Sequence, residues 1–332
     1  MAHITVLHEN GPWVEPLREA FDALGLPHDE WFLDDGIVPF DREPAPGVYY
    51  NRMSASSHTR GHRYGPELAH GVLNWLEGHG RRVVNTQRAL YLEVSKLAQY
   101  AALKRAGVRT PRTAAAVGRD HVLEAVRTFG AGPWILKPNR GGKGLGVQLF
   151  REIEAVAAYL DGPGAAEEAP IDGTWLVQDY IQAPEPYITR CEFVGGRFLY
   201  AVRVDTSEGF ELCPADACAI DGQACPAEAP ASDAPAPNKF TIVEDFDDPI
   251  LADYTAFLAA NGIEIAGIEF IRDAEGRIFT YDVNTNTNYN PQAEAAARDG
   301  AGVPLTGMQA VARFLGEELA KLPAERPILA AE

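Results

Sequence analysis

Lys137 closes a short apolar run, WILK, and within the next nine residues come Gly141, Gly142, Lys143, Gly144 and Gly146, with a second apolar run, VQLF, at 147–150. Glycines at this density let the backbone bend and approach a ligand without interference from Cβ atoms. Successive N–H groups in such a loop form a concavity for anions. Lys137 and Lys143 add positive charge in a chain whose formal net charge is −18, so the segment reads as a cradle for a phosphate-rich ligand. The plain alternative is a glycine-rich hairpin turn. A Walker A loop is excluded, because Gly144 stands where Ser or Thr must follow the lysine and a strand-like segment replaces the helix. A GxGxxG dinucleotide fingerprint is excluded by the glycine spacing.

A second constellation lies at 267–290, GIEFIRDAEGRIFTYDVNTNTNYN. Two alternating runs flank a turn at 273–276. Alternation puts Glu269 on one face with Gly267 and Ile271, and puts Asp282 with Asn284. A hairpin then gathers Glu269, Asp282 and Asn284 as three hard oxygen donors, the set that Mg²⁺ prefers when water and phosphate complete its shell. Two acids on an isolated hairpin are more often solvated edge charges, so the metal reading leans on the phosphate loop upstream.

Strand, lysine, glycine loop and strand, followed much later by DVN at 282–284, resembles the ATP-grasp ligases, where EVN is the commoner form of the last motif. The resemblance covers roughly residues 85–316. It implies that the glycine loop (Asn139, Gly141, Gly142, Lys143, Gly144, Gly146) folds over the triphosphate, and that Lys96 and Lys137 hold the α- and β-phosphates. LVQDYI at 176–181 is similar to the hinge strand that meets the adenine edge. That implies nucleotide contacts at Gln178, Asp179, Tyr180 and Ile181, with Glu185 accepting from the ribose. ITRCEFVGGRFLYAVRVD at 188–205 resembles an element of the RimK-like branch, with Ile188 where an aspartate is usual and Arg190 in register. On this resemblance Lys143 and Arg203 contact the γ-phosphate or an acyl phosphate, and Arg190 or Arg203 binds the substrate carboxylate. The cofactors implied are ATP and Mg²⁺, two ions, with Mn²⁺ able to substitute. The activity implied is an ADP-forming carboxylate–amine ligase that joins an amino acid or peptide through an acyl phosphate. A regulatory ATP-binding protein and a phosphotransferase are the alternatives on the same fold.

The elements needed to position these residues follow from the patterning. Strands at 4–7, 29–33, 47–50 and 82–85 alternate with helices at 13–24 and 64–79, which predicts a parallel sheet with helices on its faces. The fold class expected is α/β and α+β: an N-terminal parallel domain (1–110), a small lid (111–185) and a larger mixed-sheet domain carrying the metal site (186–332). Residues 86–107 read as one helix. Stretches 162–173 and the Pro-rich 221–238 read as loops.

Composition excludes several classes of function. A pI near 4.9 disfavours nucleic acid and anionic membranes, and no apolar run is long enough to span a bilayer. The first residues lack a signal-peptide pattern, so a cytoplasmic location is expected; a homo-oligomer is compatible with everything above. Cys191, Cys213, Cys218 and Cys225 form no CxxC pair, and no histidine follows Cys191, so reduced thiols are expected rather than zinc. For the substrate, YNRMSASSHTRGHRY at 50–64 follows a strand end, where open α/β sheets bind ligands. Arg52 is the first candidate for a carboxylate there, with His58 beside it. Asp216 is a candidate for an ammonium group, and Asn286 lies beyond the metal ligands on the substrate side.

Overall fold

The computed structural model describes residues 2–34, 36–142, 144–167, 169–207, 209, 239–299 and 305–323. Three sheets organise them. The first is wholly parallel, in the order β2-β1-β3-β4, from β1 (His3–His8), β2 (His28–Phe32), β3 (Gly47–Asn51) and β4 (Arg82–Val84). Its central strands are buried on both sides, as a sheet covered by helices requires. Ile4, Val6, Val48 and Tyr50 pack on helix α1 (Glu15–Ala23), and Leu7, Tyr49 and Val83 on α2 (Gly65–Gly78).

The next segment departs from the single helix expected at 86–107. It forms α3 (Gln87–Val94) and α4 (Lys96–Arg105), interrupted at Ser95, whose backbone is extended (φ −136°, ψ 101°). Ser95 Oγ accepts from the Ala98 N–H, so the serine caps α4 and puts Lys96 at its first position. A serine inside a run of good helix formers was the available signal for the break.

The second sheet is antiparallel, β5-β8-β6-β7: β5 (Thr113–Ala116), β6 (Trp134–Pro138), β7 (Gln148–Phe150) and β8 (Trp175–Asp179). It packs on α5 (Arg119–Phe129) and α6 (Ile153–Asp161). A short helix, α7 (Pro163–Glu167), occupies part of the expected loop. The third sheet has the order β11-β10-β9-β12-β13, from β9 (Tyr187–Val194), β10 (Arg197–Asp205), β11 (Phe240–Val243), β12 (Ile265–Arg272) and β13 (Ile278–Asn284). Helices α8 (Ile250–Ala260), α9 (Pro291–Asp299) and α10 (Gly307–Ala320) complete the described elements.

Packing changes partner within α3, whose Leu90 belongs to the core of the first layer. Ala89, Leu92, Tyr100 and Leu103 share a core with Phe193, Phe257 and Ile268 of the third-sheet layer. In the other direction, α10 returns to the first sheet through Val311, Ala312 and Leu315. The chain therefore closes on itself, and its first and third layers share a core through that helix and Ile265.

Candidate active site

A cleft of about 490 Å³ lies where the three layers meet. The second sheet contributes Lys137 from β6, and Gly141, Gly142 and Gly144 from the loop after it. Gly144 (φ +75°) and Gly146 (φ +70°) are left-handed, a conformation that favours glycine. A Cβ on Gly142 would stand 3.3 Å from Ser56 Cβ, so the loop rests against the 54–56 segment of the first layer. Lys137 is buried; its Nζ donates to Tyr100 Oη at 2.7 Å and lies over the Tyr281 ring at 5.9 Å. After β8 the hinge residues Tyr180, Ile181 and Glu185 line the same cleft with Gln178 and Asp179. The Asp179 carboxylate accepts two bonds from Arg112 (3.1 and 3.0 Å).

The β12–β13 hairpin forms the opposing wall. Its register sets Glu269 across from Asp282 and Gly267 across from Asn284, so all three oxygen-bearing side chains share one face. A bulge between Glu269 and Phe270 adds Tyr281 to the β13 side, and consecutive Tyr281 and Asp282 both reach the cleft. Arg190, on neighbouring β9, is paired with Glu269 in register. Its three nitrogens donate to Glu192 (2.5 Å), Glu269 (2.8 Å) and Thr287 Oγ1 (2.5 Å). Burial disfavours the Arg190 charge, yet the carboxylates of Glu192 and Glu269 overcome that and hold its proton more tightly than usual. Gly267 makes room for this: a Cβ there would lie 2.5 Å from an Arg190 nitrogen.

At the floor Lys96 Nζ donates to Asp282 Oδ1 at 2.5 Å. Burial pulls the lysine pKa down, but Asp282 outweighs it and the net direction is up. Glu93, at the end of α3, accepts from the Thr285 N–H (2.6 Å) and hydroxyl (3.1 Å) and lines the cleft. Burial pushes its carboxyl above the ordinary range. Glu93, Tyr100 and Tyr281 were not singled out from sequence, since each looks like an ordinary residue of an amphipathic element.

Several expected site residues stand elsewhere. Asn139 is absorbed in a cap: its Oδ1 accepts from the Leu97 N–H (2.8 Å) and its Nδ2 donates to Asp172 (2.6 Å). Arg203 pairs in register with Thr189, one residue out of phase with Arg190. It therefore projects from the opposite face, exposed, over the Tyr187 ring at 4.7 Å. Arg52 is buried and engaged with the 286–288 segment and with Met308 Sδ, so it does not present a guanidinium to the cleft. His58 lies in the 3-10 turn Ser57–Arg60, off the cleft wall, where burial lowers its pKa. Gly146 shapes the loop without lining the cleft. Asn286 does line it. Lys143, Asp216, Cys213, Cys218 and Cys225 lie outside the described residues; Cys191 is buried, and burial raises its thiol pKa.

Two carboxylates and a carboxamide oxygen on one open face fit a hard divalent cation. Here those oxygens are satisfied by Arg190 and Tyr281 (Glu269), Lys96 (Asp282) and the Asn286 N–H (Asn284). Among the described residues no three His, Cys, Asp or Glu side chains form a metal cluster by themselves.

Residues 94–211 match the RimK-like ATP-grasp domain. The chain aligns end to end with PsnB in complex with a minimal precursor, an ATP-grasp ligase (TM-score 0.64, 17% identity, 95% of this chain and 98% of that one). The chain has the ATP-grasp fold. D-cycloserine synthetase DcsG (TM-score 0.62, 19% identity, 95% and 99% covered) and the D-alanine–D-alanine ligase of Bacillus anthracis (0.62, 13%, 96% and 97%) have the same fold. A probable alpha-L-glutamate ligase of Teredinibacter turnerae is 29% identical over 138 residues, 42% of this chain and 44% of the relative. The match thus spans less than half the length of that relative. A longer one, to a probable alpha-L-glutamate ligase 1 of Pseudoalteromonas atlantica, runs over 235 residues at 24% identity, 70% of this chain and 68% of the relative. No helix among the described residues is long and apolar enough to cross a membrane.

Proposed function

We propose that this chain is an ATP- and Mg²⁺-dependent carboxylate–amine ligase, which phosphorylates a substrate carboxylate and passes the acyl group to an amine of an amino acid or peptide. One observation carries the reading: the glycine loop, Lys96 and Lys137 share a single cleft with the face of the hairpin that bears Glu269, Asp282 and Asn284. Relatives named as glutamate ligases, and ligases of the same fold, support the same reaction class. Glu269, Asp282 and Asn284 would hold Mg²⁺, which supplies charge neutralisation of the phosphates. Loop N–H groups and Lys137 would orient the triphosphate, and the hinge main chain at 180–181 would meet the base. Arg190, held between Glu192 and Glu269, keeps a fixed positive charge at the cleft wall where negative charge develops on the transferring group. No side-chain nucleophile is needed; the substrate amine attacks, and positioning supplies the rate.

ADP release from MgATP with pooled amino acids, with and without hydroxylamine, tests this. Capture of a hydroxamate is expected. Binding of MgATP with neither ADP nor hydroxamate under any pool would replace the ligase reading with a regulatory one, and a stable phosphorylated product would replace it with phosphotransfer.

A further inference from the structure

Arg52 leaves the end of β3 and is 2% exposed. Its Nε donates to Asn286 Oδ1 at 3.1 Å, and its Nη2 donates to Asn288 Oδ1 at 2.7 Å and to the Thr287 carbonyl at 3.3 Å. A guanidinium has donors and no acceptor, so it fixes which end of each carboxamide faces it. Both oxygens turn to Arg52, and both NH₂ groups turn away. Asn286 and Asn288 line the large cleft, and among the described residues neither Nδ2 has a protein acceptor. Asn286 is itself 4% exposed, which leaves its unmet donor little to face except the cleft.

The segment that carries them is held from three sides. Asn284 Oδ1 accepts from the Asn286 N–H at 2.9 Å, and Thr287 Oγ1 bonds Arg190 (2.5 Å) and Glu192 (2.9 Å). Two neutral donor groups are thus presented side by side, one turn of chain beyond the hairpin oxygens. Donors without acceptors complement a carboxylate and repel an ammonium group. Being neutral, they bind an anion without the full charge that would quench its nucleophilicity. We propose that Asn286 and Asn288 recognise a carboxylate of the substrate, and that Arg52 is the positioning residue that keeps their carboxamides in the donor orientation. This rests on the ligase reading above and assigns the carboxylate subsite within it.

The test follows the side-chain amide NMR signals of Asn286 and Asn288, each assigned from its loss in Asn286→Asp or Asn288→Asp. L-glutamate (two carboxylates) and putrescine (two ammonium groups) are titrated separately, with and without Mg²⁺ and a non-hydrolysable ATP analogue. L-glutamate should move both signals saturably and putrescine neither. Asn288→Asp, which keeps the contact with Arg52 but replaces a donor by an acceptor, should weaken L-glutamate by about tenfold or more. Arg52→Lys, which keeps the charge and loses the fork, should weaken L-glutamate similarly while the nucleotide analogue binds as in the wild type. Putrescine shifting the signals, silence toward L-glutamate under both conditions, or unchanged L-glutamate affinity in Asn288→Asp each overturns the proposal. Calorimetry with the analogue alone separates the two readings: if it does not bind wild type, the ligase reading fails on its own account.

Discussion

Lys96 and Asp282 form a part-buried pair of opposite charge, and both line the cleft. The Lys96 ammonium donates to the Asp282 carboxylate at 2.5 Å at the floor of the cleft, so the side chain expected to meet a metal ion already has a cationic partner. Asp282→Asn removes the carboxylate charge with almost no change of shape. The variant should remain folded while ADP formation falls by about two to three decades, the equivalent of several kcal/mol of charge stabilisation; a Mg²⁺ titration of turnover checks it, and near-normal turnover would remove Asp282 from the metal site. Gly267 makes a different demand. Its missing Cβ is the space that Arg190 occupies, and Arg190 is pinned by three bonds. Gly267→Ala should therefore cost about 1–3 kcal/mol by overpacking, read from urea unfolding, and should lower turnover as well. Full stability would mean that Arg190 has a second seat. The phosphate-loop glycines and lysines stood out in the sequence because dense glycine and positive charge are unusual in an acidic chain, and the structure brings that loop to the same cleft as Glu269, Asp282 and Asn284. Gly267's role did not stand out, since a glycine in a strand does not announce which neighbour fills its space. Arg52 was misread for a related reason: an arginine in a loop looks like a ligand clamp until its partners, more than two hundred residues away, are seen.

Elements built on period-2 or period-3.6 patterns with clear punctuation stood out from the residues alone: α2 spans Gly65–Gly78, within the 64–79 expected. Helix α8 did not, because ILADYTAFLAA is apolar around most of its circumference and buries Tyr254, Phe257 and Leu258, a pattern that periodicity cannot separate from a strand core. The split between α3 and α4 was hidden by good helix formers on both sides of Ser95. That split matters, since it sets Lys96 at a helix start facing Asp282. Ser95→Ala should lose about 1 kcal/mol with the cap and should weaken ATP more than a surface change of equal stability cost; an affinity equal to wild type would show that Lys96 is placed without the cap. In the glycine loop, Gly144→Val forces a β-branched residue to φ +75°, which costs about 1–3 kcal/mol. ATP affinity by calorimetry should fall by about tenfold or more. Unchanged affinity would return the loop to an ordinary hairpin turn.

Across the whole molecule, the first and third sheets meet at one residue with unusual completeness. Asn85 is fully buried and left-handed (φ +58°). Its Nδ2 donates to the carbonyls of Ile265 and Thr285 at 2.8 Å each, and its Oδ1 accepts from the N–H groups of Glu264 (3.0 Å) and Ile265 (3.1 Å). Nearby, Arg82 joins Glu264 (2.7 Å) and Glu318 (2.5 Å), tying β4 to both the third sheet and α10. Thr285 directly follows the expected metal ligand Asn284, so this joint fixes the hairpin end relative to the first sheet, from which Arg52 reaches the same segment. Asn85→Asp isolates the effect: aspartate tolerates a left-handed backbone and retains the acceptor, but it points carboxylate oxygen at two carbonyls. Stability should fall by about 2–4 kcal/mol, from two lost donations and a buried charge. Beyond that loss, the Mg²⁺ concentration needed for half-maximal ADP formation should rise at temperatures where the protein remains folded, because the strand end that carries Asn284 loses its anchor. Thermal unfolding beside a Mg²⁺ titration measures both. A variant that is destabilised yet keeps the wild-type Mg²⁺ requirement would make Asn85 a structural joint alone, and one that unfolds like wild type would deny the joint any part in holding the layers together.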